Sequence, residues 1–185
     1  MWFFSVPPER ARAVLRKGGR LRRSIEERYD VSLAVDDETG GVSVRYTPEK
    51  AAEAFLALRN IMSAVSTGFD EGAIRDMIER DLQFAALDLE DKVGSSRSAL
   101  TRIKGRIIGQ RGRAKRKIEE ATGCMISIYE NKVGISGPPE TMEIAREAVD
   151  RLSSGFQHET VYRFLETRMR RLKQEQRLWK GREQT

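Results

Sequence analysis

Histidine and cysteine are nearly absent from this 185-residue chain, with one copy each, at His158 and Cys124. A single thiol excludes an internal disulfide framework and a cysteine-based zinc site. A lone imidazole leaves no partner for a Ser/His/Asp arrangement, or for a Cys/His pair built on Cys124, so histidine-dependent catalysis is not expected. Long apolar runs are missing too, and none nears the roughly 18 residues of a membrane span. The opening stretch MWFFSVPPER has an apolar patch but no basic residues before it, so no secretory signal is expected. These absences lead to the expectation of a cytoplasmic protein, off the membrane, with no metal and no cofactor. Cys124 reads as a core residue, His158 as incidental, and the acids at 36–38 as solvated hairpin residues rather than metal ligands.

Charge is plentiful and unevenly spread. The net is +6, but residues 1–94 hold 14 basic and 17 acidic side chains, a net of −3, while residues 95–185 hold 20 and 11, a net of +9. From Lys92 to Ile118 there are ten basic residues and no acid. A solvated helix face mixes signs, so a block of one sign points to a polyanionic partner.

The chain also contains an internal repeat. KGGRLRRSIEERYDVSLAV (17–35) lies over QRGRAKRKIEEATGCMISI (110–128) at one constant shift, placing Gly19 on Gly112, Ile25 on Ile118 and Glu26-Glu27 on Glu119-Glu120. With short gaps, VSV (42–44) meets VGI (133–135) and VSTGF (65–69) meets LSSGF (152–156). Apolar period and turn residues give each copy the order βααββα. In the second copy SALTRIK reads as a strand, GRIIG as one helical turn, and RAKRKIEEATG as a helix closed by Gly123. An extra helix follows each copy, at 69–93 and 157–181, and GSSRS (94–98) reads as the linker. The expected organisation is therefore α+β, with one unit over 1–93 and another over 94–185.

Gly109-Gln110-Arg111-Gly112 joins two consecutive helices in the second copy. Glycine permits positive φ and removes Cβ bulk, so a sugar-phosphate chain can come close. The helix that follows offers unpaired N–H groups and the positive end of its dipole. Arg111 and Arg113 add counter-charge, as do Lys104, Arg106, Lys115 and Arg116 around them. Ile107, Ile108, Ile126 and Ile128 would form the wall and floor of a groove for bases.

These residues carry a resemblance. RIIGQRGRAKRKIEEATGCMISI is similar to the type I KH domain, whose GXXG loop clamps about four nucleotides of a single strand. The tandem arrangement resembles the archaeal ribosome-assembly KH proteins, related to the eukaryotic partner-of-Nob-one (Dim-two) family. The resemblance implies a non-catalytic protein that holds single-stranded small-subunit rRNA, pyrimidine-rich and near its 3′ end, during ribosome assembly. It implies as partners the endonuclease that matures that end and a translation initiation factor. A protein-docking scaffold with secondary RNA contact is the alternative.

The sequence departs from the family pattern in two places. Lys115 stands where many KH domains have an aliphatic residue, and both a groove role and a surface role are open to it. In the first copy Arg16 replaces the first glycine, giving RKGG. A left-handed backbone there would cost about 1–2 kcal/mol, and the side chain would obstruct a phosphate. The first unit is expected to serve packing and protein contact, or to assist RNA weakly through Lys17, Arg20, Arg22 and Arg23; direct capture of a phosphate by Arg16 is the competing reading. Trp2, Phe3 and Phe4 are assigned to the first strand and core, Phe69 and Phe156 to packing, and Tyr129 to a half-buried strand position. Trp179 falls in a basic tail (Arg168, Arg170, Arg171, Lys173, Arg177, Lys180, Arg182) that could meet RNA, a partner or solvent.

Overall fold

The computed structural model describes residues 1–182, with side chains through Trp179, so the side chains of Lys180 and Arg182 lie outside the described ones. The chain divides into two compact units, Met1–Ala86 and Leu87–Thr185.

Unit 1 begins with β1 (Trp2–Ser5), α1 (Pro8–Val14) and α2 (Arg20–Tyr29). There follow β2 (Val31–Val35), β3 (Gly41–Tyr46), α3 (Ala51–Ser66) and α4 (Glu71–Glu79). The sheet has the order β1-β3-β2 and is antiparallel, with Val44 between Trp2 and Leu33. Strand alternation sends Leu33, Val42 and Val44 into the core against Leu21, Ile25 and Leu58. Phe3, on the opposite face, is 72% exposed rather than part of the core. α3 ends on Gly68 (φ 92°), with the Phe69 N–H reaching back to the Ala64 carbonyl.

Next come β4 (Gln83–Asp88), the single turn α5 (Glu90–Val93) and α6 (Arg97–Ile108). α7 (Arg113–Thr122), β5 (Met125–Tyr129), β6 (Lys132–Gly137), α8 (Pro139–Ser153) and α9 (His158–Arg182) complete the chain. The second sheet has the order β4-β6-β5, with Ile126 opposite Ile135. The fold is thus α+β, with three-stranded sheets and helices. Among the described residues no helix is long and apolar enough to cross a membrane.

Three expectations change here. The helix expected over 69–93 stops at Glu79, because Asp81 turns left-handed (φ 51°) and the Leu82 N–H closes on the Met77 carbonyl. This is a helix stop that usually advertises itself with glycine. The freed QFAALD becomes β4, the first strand of the second sheet. SALTRIK is correspondingly helix, not strand: Leu100, Ile103 and Ile107 are buried at helical spacing within α6, and GRII is its last turn. The division expected at 93/94 accordingly falls after Ala86, and Arg97 and Ser98 of the supposed linker already belong to α6.

Candidate nucleic-acid interface

The second-unit loop is shaped by backbone sterics. α6 ends at Gly109 (φ 72°, ψ 174°), whose N–H donates to the Gly105 carbonyl at 2.8 Å. A Cβ on Gly109 would lie 2.6 Å from Ala114 Cβ and 2.7 Å from Ala114 N, so both conformation and close approach require glycine. Gly112 (φ 75°, ψ 13°) is left-handed but has room, since the nearest atom to a Cβ would be on the Arg116 side chain at 3.6 Å. Between them Arg111 is also left-handed (φ 51°, ψ 31°), a conformation costing a non-glycine residue about 1–2 kcal/mol.

The electrostatics have one sign. Gln110, Arg111, Arg113 and Arg116 line an open depression at the loop. Among the described residues, no carboxylate forms an ion pair with any of these arginines. α7 opens without an acidic residue in its first turn and without a side-chain cap. Helix starts favour carboxylates and capping oxygens, so this one is left with N–H groups and cations that an external anion would satisfy.

The other expected residues are placed differently. Lys115 donates to both carboxylate oxygens of Glu119 (3.0 and 3.1 Å), whose Oε1 also accepts the Ile126 N–H at 2.8 Å. Lys104 donates to the Glu130 carbonyl at 3.1 Å and holds the β5–β6 turn. Arg106 donates to the carbonyls of Leu152 (3.1 Å) and Phe156, closing the end of α8. Ile107 and Ile126 are core residues, so of the four isoleucines only Ile108, at 38% exposure, and half-buried Ile128 offer apolar surface. Phe156 is 47% exposed, unlike its repeat partner Phe69, which is buried. Cys124 is buried and Tyr129 half-buried.

Sequence reasoning missed several supports. Glu119 was visible only as a repeated acid. Its counterpart Glu26 does the same work, accepting the Leu33 N–H at 2.8 Å and pairing with Arg22. Arg10 repeats the part of Arg106, donating to the carbonyls of Val65 and Phe69. His158 is not incidental, because its Nε2 donates to the Arg106 carbonyl at 2.9 Å. Lys117 lies 4.0 Å over the Tyr162 ring, tying α9 to α7. Burial raises the Tyr162 hydroxyl pKa, and nearby Arg113 opposes that shift.

The corresponding loop of unit 1 keeps one feature and loses others. The Gly19 N–H donates to the Arg16 carbonyl at 3.0 Å, as Gly112 does to Gly109 at 3.2 Å. The left-handed residue here is Gly18 (φ 71°), whereas Arg16 is absent from the positive-φ residues and Gly19 is extended (φ −66°). The strain expected at Arg16 is therefore not present. Its side chain lies over Gly19, with Cγ 3.0 Å from where a Cβ would stand, and Arg23 donates to the Gly18 carbonyl.

Comparison with known proteins places this geometry in context. A family model described as "Eukaryotic type KH-domain (KH-domain type I)", of the PNO1 second-copy kind, matches residues 83–170. A KH domain-containing protein of Methanocaldococcus jannaschii is 33% identical over 177 residues, 95% of this chain and 77% of the relative. The pre-rRNA-processing protein PNO1 of Kluyveromyces lactis is 27% identical over 92% of this chain, which spans 63% of that relative's length. A crystal structure of a protein of unknown function from Aeropyrum pernix superposes with a TM-score of 0.89 at 35% identity, covering 98% of this chain and 97% of the other. A chain in an a/eIF2alpha–aDim2p–rRNA complex from Pyrococcus horikoshii gives 0.79 at 32% identity, covering 91% and 93%.

Proposed function

Since the chain belongs to the KH-domain family of the M. jannaschii protein and PNO1, we propose that it is a non-catalytic RNA-binding factor of ribosome assembly. The observation that carries this reading is the loop at 109–112, with three residues at positive φ and unpaired arginines opening an uncapped helix. In this reading a short single-stranded segment of small-subunit rRNA, near its 3′ end, lies along the loop. Its phosphates meet Gln110, Arg111, Arg113, Arg116 and the α7 N-terminus, and a base rests on Ile108 and Ile128. Lys104, Arg106 and Lys115 support the fold around it. Both units are type I KH units in tandem, the first closed to phosphate by the Arg16 side chain. The working site is the cytoplasm, beside the endonuclease that matures the 3′ end.

Gln110→Asp with Arg111→Asp tests this. Aspartate tolerates the left-handed conformation better than most residues, so the fold should persist. Affinity for a single-stranded rRNA 3′-end oligonucleotide should fall at least about 100-fold, or 2.7 kcal/mol. Wild-type affinity should also fall with salt, by about 0.9 log units or less per log unit of salt for each phosphate held. Unchanged affinity in the double variant removes the loop as reader.

A protein-docking role is favoured by a different feature. Phe3 stands exposed on β1, an edge strand of the first sheet, beside exposed Met1. The P. horikoshii complex contains a/eIF2alpha, and an initiation factor is the partner in this second reading. Co-purification that survives nuclease treatment and is lost in Phe3→Asp would support it.

A further inference from the structure

A second basic surface in unit 2 shares no residue with the loop. α8 and α9 border an open groove floored by Phe164 and walled by Arg151, Arg163, Arg168 and Arg171. The Arg151 guanidinium stacks 4.1 Å from the Phe164 ring centroid, which fixes it in place. Glu147 pairs with Arg151 at 2.6 Å and reaches Arg168 at 4.0 Å, offsetting part of the charge. Arg163 and Arg171 have no carboxylate partner among the described residues, and the hydroxyl-bearing Thr160 and Thr167 lie beside them.

Helical spacing continues the basic surface beyond this groove. Arg163, Arg170 and Arg177 recur every seven residues along an exposed face of α9, opposite buried Val161, Tyr162 and Leu165, with Glu159 and Glu166 on the same face. At 1.5 Å per residue, the row from Arg163 to Arg177 spans about 21 Å. Phe164 is the only aromatic residue between 163 and 177, and Arg151 covers its ring. A mainly basic surface whose groove holds one aromatic ring, already covered by a guanidinium, suits backbone phosphates rather than unstacked bases. Double-stranded RNA is recognised through its phosphates and shape.

We propose that the α8–α9 groove binds the phosphate backbone of a double-stranded RNA segment that adjoins the single strand held at 109–112. This rests on the single-strand reading of the loop. The probe is an RNA hairpin of roughly 16 base pairs carrying a 3′ overhang of about eight nucleotides, compared with the overhang strand alone. The full chain should bind the hairpin probe at least about tenfold more tightly, equivalent to 1.4 kcal/mol. Arg163→Gln with Arg171→Gln should abolish that increment and lower the salt slope by about two phosphate contacts, while strand-alone affinity stays within about twofold. Arg163→Glu with Arg171→Glu should do the same more strongly, with helicity checked by circular dichroism. Absence of an increment in the wild type overturns the proposal, as does its survival in both variants; the surface would then suit an acidic protein. Failure of the loop reading shows separately, as undiminished strand-alone binding by the Gln110→Asp/Arg111→Asp variant, and leaves the hairpin increment measurable.

Discussion

Gly109 and Gly112 are one residue type serving two physical needs. At Gly109 a methyl group would collide with Ala114, backbone nitrogen included, and the φ/ψ pair is hostile to side chains. At Gly112 only the left-handed backbone objects. Gly109→Ala should therefore destabilise by about 3 kcal/mol or more, and Gly112→Ala by about 1 kcal/mol. Urea denaturation of the two variants measures the gap, and equal losses would contradict the steric argument. The spacing of these glycines was readable in the sequence. The left-handed arginine between them was not, because Arg111 holds a conformation that its residue type does not announce. Nor did residue types separate exposed from engaged cations: Arg111, Arg113 and Arg116 stand open at the loop, whereas Lys104, Arg106 and Lys115 hold carbonyls or Glu119.

Among elements, the repeat was legible where it rests on apolar spacing and glycine, as in α2 and α7 or the closures of α3 and α8. It was illegible at the end of α4. Asp81 stops α4 without a glycine signal, and the apolar residues beyond it fit a helix or a strand equally well. The arginine closures were also hidden, since Arg10 and Arg106 look like any surface cation. Each supplies donors to carbonyls at the end of a long helix, and removing it strands those acceptors. Arg106→Ala should cost about 2 kcal/mol, and Arg10→Ala a similar amount. Denaturant titrations read both, and a loss below about 0.5 kcal/mol would show that water replaces the guanidinium.

For the molecule as a whole, charge separates the two halves more clearly than fold does. Residues 1–94 carry 17 of the 28 acidic side chains, and the Arg16 side chain lies over the first-unit loop. The second unit carries the unpaired arginines and an excess of positive charge. The two units share internal fastenings (Glu26 and Glu119, Arg10 and Arg106) and differ in the side chains at this turn.

The position of β4 decides how the molecule can be taken apart. A C-terminal fragment starting at Gly94 would lose the first strand of its sheet and leave β6 with an unzipped flank. Such a piece should self-associate, whereas one starting at Gln83 should stay monodisperse in size-exclusion chromatography. The portable cassette begins ahead of the stretch that reads as a linker, and its opening strand is written in what looks like the tail of its neighbour.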